Sequence, residues 1–196
     1  MEKLTIKKYP HPILKYKSKP VTKIDATLKE TVQQMFELMY ETDGVGLAAN
    51  QVGIPYQFFV MNVSGNREKK EDEYVFINPV IHKKKGKEED EEGCLSFPEI
   101  RAPVVRGAEV ELEGISLEGK PQRFTWKGLL ARAVQHETDH LKGVSFVERL
   151  SEPAFVEIRE QLAELEVQFD TDQRLGLIPS AQEIEAQIAQ WSGKWG

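Results

Sequence analysis

The chain has 196 residues, 26 basic and 32 acidic side chains, a formal charge of −6 and one cysteine. That length suits one domain with an extension, and it can bury a core without disulfide or metal staples. The lone Cys excludes an internal disulfide framework and makes a reducing compartment the expectation; the acidic balance argues against general nucleic-acid binding, and 40% hydrophobic residues exclude a disordered chain.

The first residues, Met1 to Lys8, show no apolar stretch that would read as a leader. The longest apolar runs, such as Phe58 to Met61, fall far short of the ~20 residues of a bilayer span. A soluble, cytoplasmic protein without a membrane partner is expected. The first helix is predicted from Asp25 to Glu41. Thr27 and Glu30 have capping-box spacing, and Leu28, Val32, Met35, Phe36 and Met39 recur at three and four on one face. Asp43-Gly44 ends it. Gly44 to Gln51 follows, small and apolar until Asn50 and Gln51.

Strand-like runs lie at Gln57 to Val63, Tyr74 to Ile81, Ala108 to Leu112 and Gln122 to Trp126. Turn chemistry such as Ser64-Gly65-Asn66 and Glu118-Gly119-Lys120-Pro121 punctuates them, which favours antiparallel hairpins over βαβ units. Arg67 to Glu73 reads as a solvated loop, and Lys83 to Glu92, basic then acidic, as a solvated hairpin edge. A second helix is predicted over Leu129 to Lys142, with Leu130, Ala133, Val134, Glu137 and Leu141 on one side and Gly143 as its stop. A third runs from Pro153 to Phe169, capped by Ser151, with Phe155, Ile158, Leu162 and Leu165 as its apolar stripe. Residues 170–196 form a polar tail. In it Ser180 and Glu183 can cap a short helix bearing Ile184, Ile188 and Trp191, docked on the domain or on a neighbour.

The chemical signal is His136-Glu137-Thr138-Asp139-His140. Residues four apart on a helix differ by about 40° around its axis, so both imidazoles can bind one ion. Glu137, about 60° from His140, can reach a water polarised by that ion without being a ligand, as His-Glu-x-x-His hydrolysis requires. Glu137 also falls on the apolar side, where a carboxylate without a task would be costly. Catalytic sites of this kind take three protein ligands. The third can be Cys94, beside Gly93 and outside regular structure, or a downstream carboxylate: Glu148, Glu152 or Glu157. Gln51 is either a turn amide serving its own loop or a donor aimed at a developing oxyanion. Gly44 and Gly46 would let a substrate backbone approach closely.

Three segments, in order, resemble the peptide deformylase family: Gly-φ-Gly-Leu-Ala-Ala-x-Gln at Gly44 to Gln51, Glu-Gly-Cys-Leu-Ser at Glu92 to Ser96, and Gln-His-Glu-x-Asp-His-Leu-x-Gly at Gln135 to Gly143. The resemblance spans roughly Leu4 to Leu150, including Pro98-Glu99 and Arg101. The third helix is similar to the helical C-terminus of the type-1 bacterial form, residues beyond about Asp170 lie outside it, and His11 departs from an acidic residue that many members carry.

The resemblance implies an α+β fold, with antiparallel β-sheets packed around a central metal-binding helix and helices toward either end. Residues 1–169 would be the catalytic domain and 170–196 the tail. Cys94, His136 and His140 would bind one divalent ion, Fe2+ foremost, with Zn2+, Ni2+ or Co2+ accepted. Glu137 would be general base and then acid, and Gln51 with the Leu95 amide would form the oxyanion hole. Gly46 and Gly93 would pair with the substrate backbone, and Arg101 would lie near the peptide beyond its first residue. Val45, Leu129, Val134 and Phe97 are the candidates for an apolar methionine pocket. The implied reaction removes formate from N-formylmethionine on nascent polypeptides. The ribosome near its exit tunnel is a candidate partner, through a local basic patch.

Overall fold

The computed structural model describes residues 3–191 and 193–196. Helix α1 spans Ala26–Glu41 and buries Leu28, Val32, Met35, Phe36 and Met39, as their spacing requires. Its cap is Asp25, whose carboxylate accepts from the Leu28 amide at 2.9 Å. Thr27 already lies inside the first turn, where its carbonyl accepts from the Thr31 hydroxyl, so the Thr27–Glu30 box is not the start signal.

Five antiparallel strands follow the order β1-β2-β3-β6-β7: Gly46–Ala48, Phe58–Met61, Tyr74–Lys85, Glu109–Ile115 and Pro121–Lys127. The four expected strands are β2, β3, β6 and β7. Every residue of β2 is buried because helices cover both faces of the sheet. Phe58 and Val60 point into the cluster under α1. Phe59 and Met61 point into a second cluster with Ala131, Ala133, Val134 and Leu141 of α2, which spans Gly128–Leu141.

Strand β3 runs past Ile81 to Lys85, because the acidic strand β6 pairs with its lysine end; Lys85 meets Glu109 at 2.6 Å. Strands β4 (Glu88–Cys94) and β5 (Phe97–Arg106) form a separate two-stranded sheet that the sequence pattern did not reveal. Glu88 to Glu91 are exposed, as a solvated edge should be. Glu92 is buried, so the expected solvated edge ends one residue early. The apolar side of this hairpin comes from Ile100, Ala102 and Val104 of β5, which pack with Ile158 and Leu162 of α3 (Glu152–Arg174).

Helix α3 spans Glu152–Arg174, beyond the expected end at Phe169, and Ser151 caps it by accepting from the Ala154 amide. Phe155 of the expected stripe stays partly exposed. Helix α2 stops two residues before Gly143, whose φ of +74° and closeness to the Lys15 carbonyl exclude a side chain. A Cβ there would stand 2.4 Å from the Lys15 oxygen.

The segment beyond α3 docks on its own chain. Helix α4 spans Ala181–Gln190, and Ser180 and Glu183 cap it reciprocally, as their spacing predicts. Ile184 and Trp195 are fully buried. The Trp195 ring packs 5.5 Å from Tyr56 and 5.9 Å from Phe58. Its indole N–H donates to Asp25, the α1 cap, and its carbonyl accepts from the Thr22 amide. Trp195→Ala is therefore expected to lower the unfolding free energy by about 3–5 kcal/mol, as loss of a buried aromatic does; urea denaturation measures it.

Candidate metal centre

Helix α2 places His136 and His140 one turn apart with their Nε2 atoms 3.2 Å from each other. Cys94 is not outside regular structure: it is the last residue of β4, next to a register shift between Gly93 and Cys94. Its Sγ stands 3.3 Å from His140 Nε2. All three donor atoms lie within 4.8 Å of one another. None of the downstream carboxylates joins them. Glu148 accepts from the Ser145 amide and hydroxyl, and Glu152 and Glu157 are exposed on α3.

The donor set fits one metal ion. Two imidazole nitrogens and a sulfur converge, a borderline-soft combination suited to Fe(II), Zn(II) and their neighbours. His136 has its other ring nitrogen anchored: Nδ1 lies 3.0 Å from Glu92 Oε2, so Nε2 is left facing the cluster.

Glu92 organises the surroundings. Its carboxylate accepts two hydrogen bonds from Arg106, at 2.9 Å each, and one from Arg132 at 2.8 Å. Arg106 also donates to Asp139 at 2.5 Å, and Arg149 clasps Asp139 with two further bonds. Burial alone would raise the Glu92 carboxyl, but the bonds from His136 and Arg106 prevail and hold it at about 2. Asp139 follows the same logic: burial opposes its charge, and Arg149 and Arg106 keep it below the ordinary carboxylate range.

Glu137 projects from α2 on the cavity side, is buried, and has no hydrogen-bond partner for Oε2. Burial pushes its carboxyl up to about 7. The space it occupies belongs to Gly46, where a Cβ would lie 2.4 Å from Glu137 Oε1. At Gly44 a Cβ would meet the Leu95 side chain at 2.8 Å. Both glycines therefore make room for this chain's own side chains, in addition to any ligand backbone.

Gln51, buried on the 3-10 turn after β1, divides its two ends. Its Oε1 accepts from the Ala48 amide at 2.9 Å, a turn function. Its Nε2 faces the donor group, donating to Ser96 Oγ at 3.2 Å and to Cys94 Sγ at 3.4 Å.

A cavity of about 610 Å³ opens over this group, with Gln51, Cys94, Leu95, His136 and Glu137 in its wall. Val45, Phe97 and Leu129 line it, and Gly46, Gly93 and Arg101 border it. Val134 does not: it is fully buried against Phe59 and Phe76 on the sheet side of α2. One residue back, Ala133 faces the cavity, since each helical step rotates the side chain by about 100°. Ile100 is a further apolar wall residue that periodicity did not single out. Arg101 is exposed at the mouth, 3.8 Å from the Glu91 carboxylate.

Four supporting residues carried no recognised role in the sequence: Arg106, Arg132, Arg149 and Asn50. Asn50 donates to the His140 carbonyl at 2.5 Å, tying the Gly44–Gln51 segment to α2. The signal for Glu92 and Asp139 was present, since both stand inside the matched segments, but their partners are remote in sequence.

An α+β fold in which a His-Glu-x-x-His helix meets a cysteine from a neighbouring hairpin defines a hydrolase with a single metal site. Known proteins narrow this. The polypeptide deformylase family model matches residues 3–155. Peptide deformylase of Rhodopirellula baltica is 39% identical over 192 residues, covering 98% of this chain and 95% of the relative. That of Chromobacterium violaceum is 44% identical, covering 86% and 99%. A crystal structure of plant peptide deformylase PDF1B has a TM-score of 0.85 at 40% identity, over 92% of this chain and 97% of that one. Peptide deformylase of Thermotoga maritima gives 0.72 at 41% identity, over 77% and 99%. The chain belongs to the polypeptide deformylase family. The match to the Rhodopirellula baltica protein also takes in most of residues 170–196, which the sequence motifs left outside the resemblance.

The close approach of Glu137 to Gly46 has a direct test. Gly46→Ala must displace the carboxyl, and a shift near 1 Å costs turnover on the order of 10²-fold. Metal content is expected to stay at the wild-type level, so kcat and metal analysis together check it.

Proposed function

We propose that the residues around this cavity hydrolyse the formyl group of N-formylmethionine at the start of nascent polypeptides. The observation that carries the reading is the convergence of Cys94, His136 and His140 beside Glu137 and Gln51 in the wall of one cavity. A divalent ion held by the three donors would supply Lewis acidity, lowering the pKa of a water toward neutrality and polarising the formyl oxygen.

Glu137 accepts the proton of the attacking water at Oε2, the carboxyl oxygen without a protein partner. The new C–O bond converts the formyl carbonyl to a tetrahedral oxyanion, toward which Gln51 Nε2 and the Leu95 amide donate. Glu137 then passes its proton to the departing nitrogen, the C–N bond breaks, and formate and a free amino terminus leave. Gly46 and Gly93 present edge backbone to the peptide. Val45, Leu129, Phe97, Ile100 and Ala133 form the apolar receptacle for the methionine side chain, and Arg101 stands where the peptide leaves the mouth.

The proposed native ion is Fe2+, with Zn2+, Ni2+ or Co2+ able to replace it in the same donors. Nascent chains are the substrate, so encounter near the ribosomal exit tunnel is the proposed setting, in the cytoplasm, where a Cys ligand stays reduced. No helix among the described residues is long and apolar enough to cross a membrane. The proposed catalytic domain is residues 1–169 and the proposed extension 170–196; α3 runs across that boundary to Arg174, and Trp195 of the extension packs on Tyr56 and Phe58.

Anaerobically prepared protein is expected to release formate from a formyl-Met peptide in proportion to bound metal. Gln51→Ala should retain metal yet lose about 10²–10³ in kcat; near-normal turnover would remove Gln51 from the oxyanion hole. The iron form should lose activity in air through thiolate oxidation while nickel and cobalt forms persist, and equal decay of all three would exclude iron as the native ion.

A further inference from the structure

The metal donors sit on two bodies that share no strand pairing. His136 and His140 belong to α2, and Cys94 closes β4 of the separate β4–β5 hairpin. Gly93 and Leu95 flank Cys94 on that hairpin, so its position sets one wall of the cavity as well as one ligand. Apolar packing of the hairpin runs to α3 and to Phe146, which also stacks on His136 at 6.3 Å. Its direct side-chain ties to α2 are polar: Arg106 of β5 donates to Asp139, and Arg132 of α2 reaches the hairpin.

Arg132 lies one helical turn before His136, with little exposure, in the cavity wall. Its Nη1 donates to the Val104 carbonyl at 2.9 Å and to Glu92 Oε1 at 2.8 Å, and approaches the Asp90 carbonyl at 3.4 Å. Its Nη2 donates to the Glu88 carbonyl at 3.0 Å. One guanidinium from α2 thus reaches the main chain of both strands and the carboxylate that orients His136. A planar fork with five N–H donors can do this, whereas an ammonium can satisfy the carboxylate but cannot span the separated carbonyls.

We infer that Arg132 is a positioning residue: it sets the register of the β4–β5 hairpin on α2 and thereby the distance between Cys94 and the two histidines. The inference rests on the metal-centre reading above. Groups behind the ligands commonly alter metal affinity by about 10–100-fold.

The test compares wild type with Arg132→Met, which keeps the aliphatic stem, and Arg132→Lys, which keeps the charge. Each is loaded with Co2+, and metal release to a chelator is followed together with the thiolate-to-cobalt absorption band. Arg132→Met is expected to release metal at least about tenfold faster, with a shifted or weakened band. Arg132→Lys should fall between it and wild type. A role in overall stability alone would lower Tm and leave the band unmoved. If Arg132→Met does not fold, Arg132→Lys carries the test. Wild-type release and band in a folded variant overturn the inference. Because neither readout needs substrate, absence of formate release from metal-loaded wild type would fault the deformylase reading separately.

Discussion

Everything around the metal donors depends on keeping two carboxylates ionised in the interior. Glu92 and Asp139 are nearly inaccessible, and an unpaired charge at such a site costs about 3–5 kcal/mol. Arg106 stands between them and pairs with both, Arg132 closes the other side of Glu92, and Arg149 the other side of Asp139. The result is a string of alternating charge running from β4 through β5 to α2 and the turn that follows it. His136 is its endpoint, held through Nδ1 by the same Glu92. A neutral core could have joined these elements more stably, but it could not have offered an imidazole a fixed acceptor.

Helix α2 serves two environments at once. Val134 and Leu141 belong to the core beneath the five-stranded sheet, while His136 and Glu137 face the cavity. The turn from Ala49 to Val52 approaches from the sheet side. Gln51 uses one end of its amide on its own loop and the other on the donor cluster, and Asn50 reaches the last turn of α2. The short segment from Gly44 to Gln51 is therefore wedged between sheet and helix, and its small residues follow from that crowding.

Amphipathic spacing made α1, α2 and α3 legible, and the order of three short segments made the donor set legible. What stayed hidden had physical causes. Strand β4 is a run of charges whose apolar support comes entirely from β5, so no periodicity within Glu88 to Cys94 could reveal it. Asp25, not Thr27, is the cap, and its carboxylate oxygen accepts from both the Leu28 amide and the indole of Trp195, a link across nearly the whole sequence. Trp195 itself sits in a polar, Gln-rich stretch whose composition gives no sign of burial. Val134 and Ala133 are adjacent, and only the three-dimensional position of the sheet decides which of them lines the cavity.

The cavity is mechanically asymmetric. One wall is β1 and the turn after it, backed by a sheet with helices on both faces. The opposite wall is a two-stranded hairpin that meets α2 through guanidinium contacts and packs its apolar side on Phe146 and α3. Packed cores resist deformation because every shift costs many contacts, and the hairpin, with only two strands, has that support on the side that faces Phe146 and α3. The sulfur donor at the hairpin's end therefore reaches the site across a seam of charged contacts, whereas the two imidazoles ride on a helix packed into the core of the sheet.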